Sequence, residues 1–287
     1  MRAGRLSWIG AAVLAASVAG RAAGDESPLD LRPRFGPAEV PLGHDLTLAL
    51  PPDFLLFDAP QARQLAERAG RVVDDSLLGA VAFQGGERGR QPQWYVEISY
   101  TEMGRVDDTA AVDPNQIIDM LRARVERASA AGQRPDGGAV RVEGWLEAPH
   151  YRRPTRTLWW AVTAASPDRR IADAGACILG RRGVVSLQLV ATAEQFAAAR
   201  PEVAKLVAST GFDEGARYED FRPGDPVAAA TVSSLVAASL GAPVHERVGV
   251  ATPGARGGLA LALLVAFVLA IAVVSIRRRA ARRRRVT

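Results

Sequence analysis

Residues 174–195 read AGACILGRRGVVSLQLVATAEQ. An apolar run, the turn Gly180-Arg181-Arg182-Gly183, a second apolar run from 184 to 191, then Thr192 with Gln195 three residues on: this spells strand, hairpin, strand and the capping box of a helix. Strands joined by so short a turn must be antiparallel, because a parallel pair needs a crossover of a dozen residues or more.

The same grammar extends upstream. Residues 140–146 and 155–163 are strand candidates, and 77–83 with 93–101 form another hairpin around Gly85-Gly86. Along 93–101, Trp94, Val96, Ile98 and Tyr100 share one face and Tyr95, Glu97, Ser99 and Thr101 the other. Residues 40–50 alternate weakly before Pro51-Pro52 and read as one strand entering a turn. Helices interleave. Asp58 with Gln61 opens one with Leu65, Ala66 and Ala69 inward. Asp113-Pro114-Asn115-Gln116 opens a second, burying Ile117, Ile118, Leu121 and Val125. The helix after Thr192 is expected to break in two at Pro201, and Asp225-Pro226 to open a last Ala-rich helix ending near Gly241. The fold class is α+β, an antiparallel sheet with the helices packed on one face.

The two ends differ from this body. Residues 1–24 carry Arg2 and Arg5 before a short apolar stretch and small residues, the pattern of a secretory signal peptide. Residues 25–240 form the extracytoplasmic domain and 241–258 a linker. Residues 259–276 are uncharged and long enough to cross most of a bilayer core about 30 Å thick. The tail 277–287 holds seven arginines, which places the C-terminus in the cytoplasm and against anionic headgroups.

That tail distorts the overall charge, a pI near 10.1. Of 36 Lys and Arg residues, seven lie in the tail and three before Asp25, which leaves 26 in the body against all 31 Asp and Glu. A mildly acidic body disfavours nucleic acid as a partner, since phosphate contact needs clustered cations on a folded face. The partners expected are the lipid bilayer and an envelope protein.

Chemistry is sparsely marked. Cys177 is the sole cysteine, and His44, His150 and His245 are isolated, so zinc-type spacings are absent and neither metal nor cofactor is expected. No nucleophile elbow or phosphate-binding glycine loop occurs. The carboxylates Asp107, Asp108 and Glu143 are the candidates for an acid–base pair, ahead of the adjacent Asp74 and Asp75. Trp159 and Trp160 are consecutive in a strand, so they point to opposite faces: one enters a helix-covered core, and the other needs its own cover or a ligand. Trp145 and Tyr151, either side of Pro149, add to such a binding surface.

Five segments in order, YTEMGRVDDTAA (100–111), GWLEAPHY (144–151), TLWWA (157–161), LGRRG (179–183) and GFDEGARYEDF (211–221), resemble the domain of unknown function 2167 family, bacterial membrane-anchored proteins of uncharacterised activity. The resemblance covers residues 40–240. It departs after Asp225, where the family carries a lysine- and glycine-rich stretch and this chain has AAATVSSLVAASL. It implies a signal peptide, an extracytoplasmic domain and a C-terminal anchor, and supplies no chemistry. The element order is also similar to the small α+β sandwich of PsbP-like and Mog1-like proteins, an analogy of fold alone.

The reading is therefore a membrane-anchored extracytoplasmic binding or scaffold module of the bacterial cell envelope, more binder than enzyme. Its rival is a membrane-tethered hydrolase of envelope polymers using Asp107, Asp108 or Glu143.

Overall fold

The computed structural model describes residues 31–68, 74–85, 94–130, 141–166 and 169–240. The expected signal peptide, linker, spanning segment and basic tail lie outside them. Among the described residues no helix is long and apolar enough to cross a membrane.

An eight-stranded antiparallel sheet dominates. Its strands are β1 (Arg34–Phe35), β4 (Phe54–Asp58), β5 (Leu77–Phe83), β6 (Tyr95–Glu102), β8 (Arg141–Arg152), β9 (Thr157–Ser166), β10 (Arg169–Leu179) and β11 (Gly183–Thr192). They lie in the order β1-β4-β5-β6-β11-β10-β9-β8. The hairpin of 174–195 is its centre: Leu179 pairs with Val184, and β11 then pairs with β6. A small sheet joins β2 (Ala38–Gly43), β3 (Leu46–Leu50) and β12 (Thr210–Phe212), and β7 (Arg105–Asp107) runs parallel to β13 (Val227–Thr231). The helices are α1 (Ala59–Arg68), α2 (Pro114–Ala130), α3 (Ala193–Ala208) and α4 (Val232–Ser239).

The sheet is clad on both faces, which corrects the expectation of helices on one. α2 and α4 bring Ile117, Leu121, Leu235 and Val236 onto Leu158, Trp160 and Val162, while α1 covers Leu55, Ala80 and Ala82 on that same side. The opposite face carries α3, with Val203 and Leu206, and the small sheet, with Leu46, Leu48 and Leu50, over Ile98, Trp159 and Leu187. The reason is in the strands. β9 to β11 are apolar at successive positions, and a strand apolar on both sides needs two covers. Those three leucines are at most 1% exposed, and at roughly 1.5–3 kcal/mol each their burial makes the small sheet an integral layer.

Local chemistry explains the other departures. Residues 40–50 are not one strand but the β2–β3 hairpin, because Gly43, His44 and Asp45 all take positive φ and reverse the chain. α3 keeps the Thr192–Gln195 capping box but runs unbroken through Pro201. Pro201 and Ala197, whose carbonyl loses its donor, are both exposed, so water can replace the missing bond. The last helix starts at Val232, capped by Thr231 in a capping box with Ser234, rather than at Asp225, because 227–231 pair with β7.

Candidate functional site

The ends of β6, β8 and β10, the start of β9 and the segment after β12 meet at one pole of the sheet. Gly104 makes the turn out of β6 with φ +87, and a Cβ there would meet the Pro226 carbonyl oxygen at 2.7 Å. The chain then runs through β7 to the two adjacent carboxylates. Asp107 faces outward and accepts hydrogen bonds from the Thr109 amide (2.9 Å) and hydroxyl (2.7 Å). The bond from the Thr109 backbone is the main cause holding its carboxyl below the ordinary value.

Asp108 turns the other way. Its side chain is only 11% exposed. One oxygen accepts both the Arg156 guanidinium at 2.8 Å and the Tyr151 hydroxyl at 3.1 Å. Burial, partly opposed by the Arg156 hydrogen bond, raises the Tyr151 phenol well above its usual value, so it remains a donor. Arg156 ends the short 3-10 turn Arg153–Thr155 in a left-handed conformation, φ 51. Behind it, Tyr218 receives two guanidinium groups over its ring, Arg105 at 4.0 Å and Arg156 at 4.6 Å from the centroid. The Tyr218 hydroxyl is anchored on the Val106 carbonyl at 2.8 Å.

In front of this cluster lies a groove of about 790 Å³ between residues 108–112 and 149–155. Its walls are Ala110, Val112, Pro149 and Pro154, and its rim holds Arg152 and Arg153. Both arginines are exposed. Neither forms an ion pair with the described residues.

Of the residues singled out from sequence, the fold thus brings Asp108 and Tyr151 into contact. Glu143 is elsewhere: it takes Arg170 (2.8 Å) and Thr163 (3.3 Å), and the Arg170 hydrogen bond is the main cause lowering its pKa. Across the register shifts of β8 it sits opposite Thr163 and Ala164 while Tyr151 pairs with Leu158, roughly 18 Å of strand away. Carboxylates sharing one scissile bond sit about 5–10 Å apart. Asp107 and Asp108 are themselves both engaged, one in a turn and one in an ion pair.

The tryptophans alternate across β9 as expected, and each is covered. Trp159 is 8% exposed beneath α3, with the Arg200 guanidinium 3.8 Å from its ring and Glu147 holding Arg200 through two bonds of 2.5 and 2.8 Å. Trp160 is 1% exposed on the other face. Trp145 donates its indole N–H to the Pro114 carbonyl (3.1 Å), tying the start of α2 to β8. Neither Trp159 nor Trp160 offers an open surface. Arg105, Arg156 and Tyr218 escaped the sequence reading, since nothing in their spacing announces a stack built from three distant segments. Among the described residues no three side chains are grouped as metal ligands.

The family match spans residues 34–276, nearly the whole chain beyond its first residues. The chain belongs to the family described as protein of unknown function (DUF2167). All five segments that carried the resemblance reach this pole or run into it. No curated protein matches. Among solved structures, the solution structure of cyanobacterial PsbP (CyanoP) from Synechocystis sp. PCC 6803 aligns at 10% identity and TM-score 0.33, over 58% of this chain and 86% of that one. At that score the likeness carries nothing across.

Proposed function

We propose that this DUF2167 chain is a membrane-anchored, extracytoplasmic binding module of the bacterial cell envelope, and that its groove takes an acidic segment of a partner protein. The observation that carries the reading is the contrast at the groove: Asp108 is clamped by Arg156 and Tyr151, whereas Arg152 and Arg153 stand exposed at the rim without ion-pair partners among the described residues. A clamped carboxylate is a poor base, and free guanidinium groups beside an apolar wall suit carboxylate recognition. The uncharged stretch 259–276 followed by seven arginines supports the anchor and its orientation.

A labelled oligoglutamate, titrated by fluorescence anisotropy against the full chain in detergent, tests the groove. Binding should weaken with salt and fall about tenfold or more in the Arg152→Gln, Arg153→Gln double variant, against no binding of oligoglutamine. Equal binding by the double variant refutes the assignment. Protease treatment of spheroplasts tests the topology: the body should be digested and a reporter at Thr287 survive.

A further inference from the structure

A second, smaller and more enclosed pocket of about 330 Å³ is lined by charged side chains of both signs. It is built from four separate places: the β2–β3 turn (His44, Asp45), the end of β6 (Tyr100, Glu102), the β10–β11 turn (Arg181, Arg182) and Phe212 to Ala216. Backbone bonds set its walls: the Asp213 amide donates to the Asp45 carbonyl (2.8 Å), and the Arg181 amide to that of Ala216 (2.9 Å). The pocket is therefore made before any ligand arrives.

Two arginines face it in different states. Arg181 is spent, with bonds of 2.7 and 2.8 Å to Asp225 and 3.0 Å to the Gly215 carbonyl. Arg182 is 58% exposed, and its one ion-pair contact among the described residues is a loose 3.8 Å to Asp225. Asp45 and Glu102, both exposed, also line it, Glu102 on the strand position paired with Gly183. The hydroxyl at the centre belongs to Tyr100, and Glu102, Arg182 and Asp45 all act on it electrostatically; burial and the two carboxylates raise its pKa, so it stays protonated. Its position requires Gly183, where a Cβ would lie 2.5 Å from the Tyr100 hydroxyl oxygen. His44 stacks on the Tyr100 ring at 4.2 Å, and it is held there by left-handed backbone at His44 (φ 54) and Asp45 (φ 52), a conformation costly for non-glycine residues.

We propose that this pocket binds a small zwitterion, a free α-amino acid, with its carboxylate on Arg182 and Tyr100 and its ammonium on Asp45 and Glu102. The volume lies at the small end of the range for ligand sites, and charges of both signs around a neutral hydroxyl complement a zwitterion's two ends. The site does not depend on the groove.

The test is calorimetric titration of the full chain in detergent with glycine, D- and L-alanine and L-lysine, and with their N-acetyl and amide derivatives. At least one free amino acid should bind, and blocking either end should weaken binding about tenfold or more, as loss of a charged hydrogen bond does. Arg182→Gln and Glu102→Gln should each weaken binding similarly while leaving the unliganded unfolding temperature unchanged, because both side chains are exposed. Tyr100→Phe keeps the stack and removes only the hydroxyl, and should weaken binding less. Absence of binding by every free amino acid at about 10 mM, where even millimolar dissociation constants register, overturns the proposal. So does equal binding of blocked forms or undiminished binding by the variants.

Discussion

Replacing Asp173 by asparagine is expected to stabilise the domain at and above neutral pH and to remove much of its pH dependence. Asp173 lies on β10 between the parts of the sheet covered by α1 and by α2 with α4, and it is 6% exposed. The Gln188 side-chain amide donates to it, and among the described residues no cation reaches it. Burial, the dominant cause, outweighs that hydrogen bond and raises the carboxyl from 3.8 to about 7. Between those values the folded chain holds a proton that the unfolded chain has released, so stability falls as pH rises from about 4 to 7 and stays low above. A shift of about three pH units at about 1.4 kcal/mol each gives roughly 4 kcal/mol, an upper figure because a buried charge also draws in water. Asparagine cannot ionise, yet keeps a carbonyl for Gln188. Urea unfolding of wild type and Asp173→Asn, in parallel from pH 4.5 to 9, measures the difference and cancels every other titrating group. The variant should match or trail wild type at the acid end and exceed it by a few kcal/mol at the alkaline end, within that upper figure. A constant difference across the range, or a variant weaker at every pH, refutes the reasoning.

Three further outcomes follow from named contacts. Arg156→Met strands the Asp108 carboxylate and should cost about 2–3 kcal/mol in urea unfolding, against about 1 kcal/mol for Tyr151→Phe, which removes a single hydrogen bond. Asp225, lowered to about 2 chiefly by the Arg181 hydrogen bond, contributes stability that is complete above its unfolded value and lost as pH falls toward 2. Asp225→Asn should therefore flatten that acid limb in a circular-dichroism titration, and an unchanged limb counts against the pairing. Thr192→Ala removes the cap of α3 and should cost about 1 kcal/mol by the same unfolding measurement.

The antiparallel α+β class was legible because its evidence is local: the 180–183 turn fixes one pairing, and capping residues at 113–116 and 192–195 mark two helix starts in three or four positions each. What failed was decided at longer range. Whether helices cover one face or two depends on where α3 returns, and the alternation of Trp159 and Trp160 alone left open whether the second ring meets a second layer of the domain or a ligand. Pro201 misled because the rule it obeys concerns a buried helix interior, and here the freed carbonyl is in water. At the site, Asp108 and Tyr151 were each visible as residue types, but their contact spans 43 positions and is closed by Arg156, which alone has no signature.

The guanidinium groups themselves argue for recognition at this pole. With Lys205 the only lysine, nearly every cation is an arginine, and arginine can be fixed in two ways, by a bidentate carboxylate or by an aromatic face. Arg181 on Asp225 uses the first, Arg105 over Tyr218 and Phe221 the second, and Arg200 both. Those groups are structural, and lysine could not replace them, since it lacks the planar fork and the stacking face. Among the described residues Arg152, Arg153 and Arg182 use neither. Exposed charges of one sign repel and add little to folding, so three of them at the pole where two pockets open are best accounted for by ligands outside the chain. The two sites then differ by their walls: beside Arg152 and Arg153 the groove is open and apolar, which suits a segment of chain, whereas Arg182 shares a smaller pocket with two carboxylates, which suits a small molecule carrying both charges.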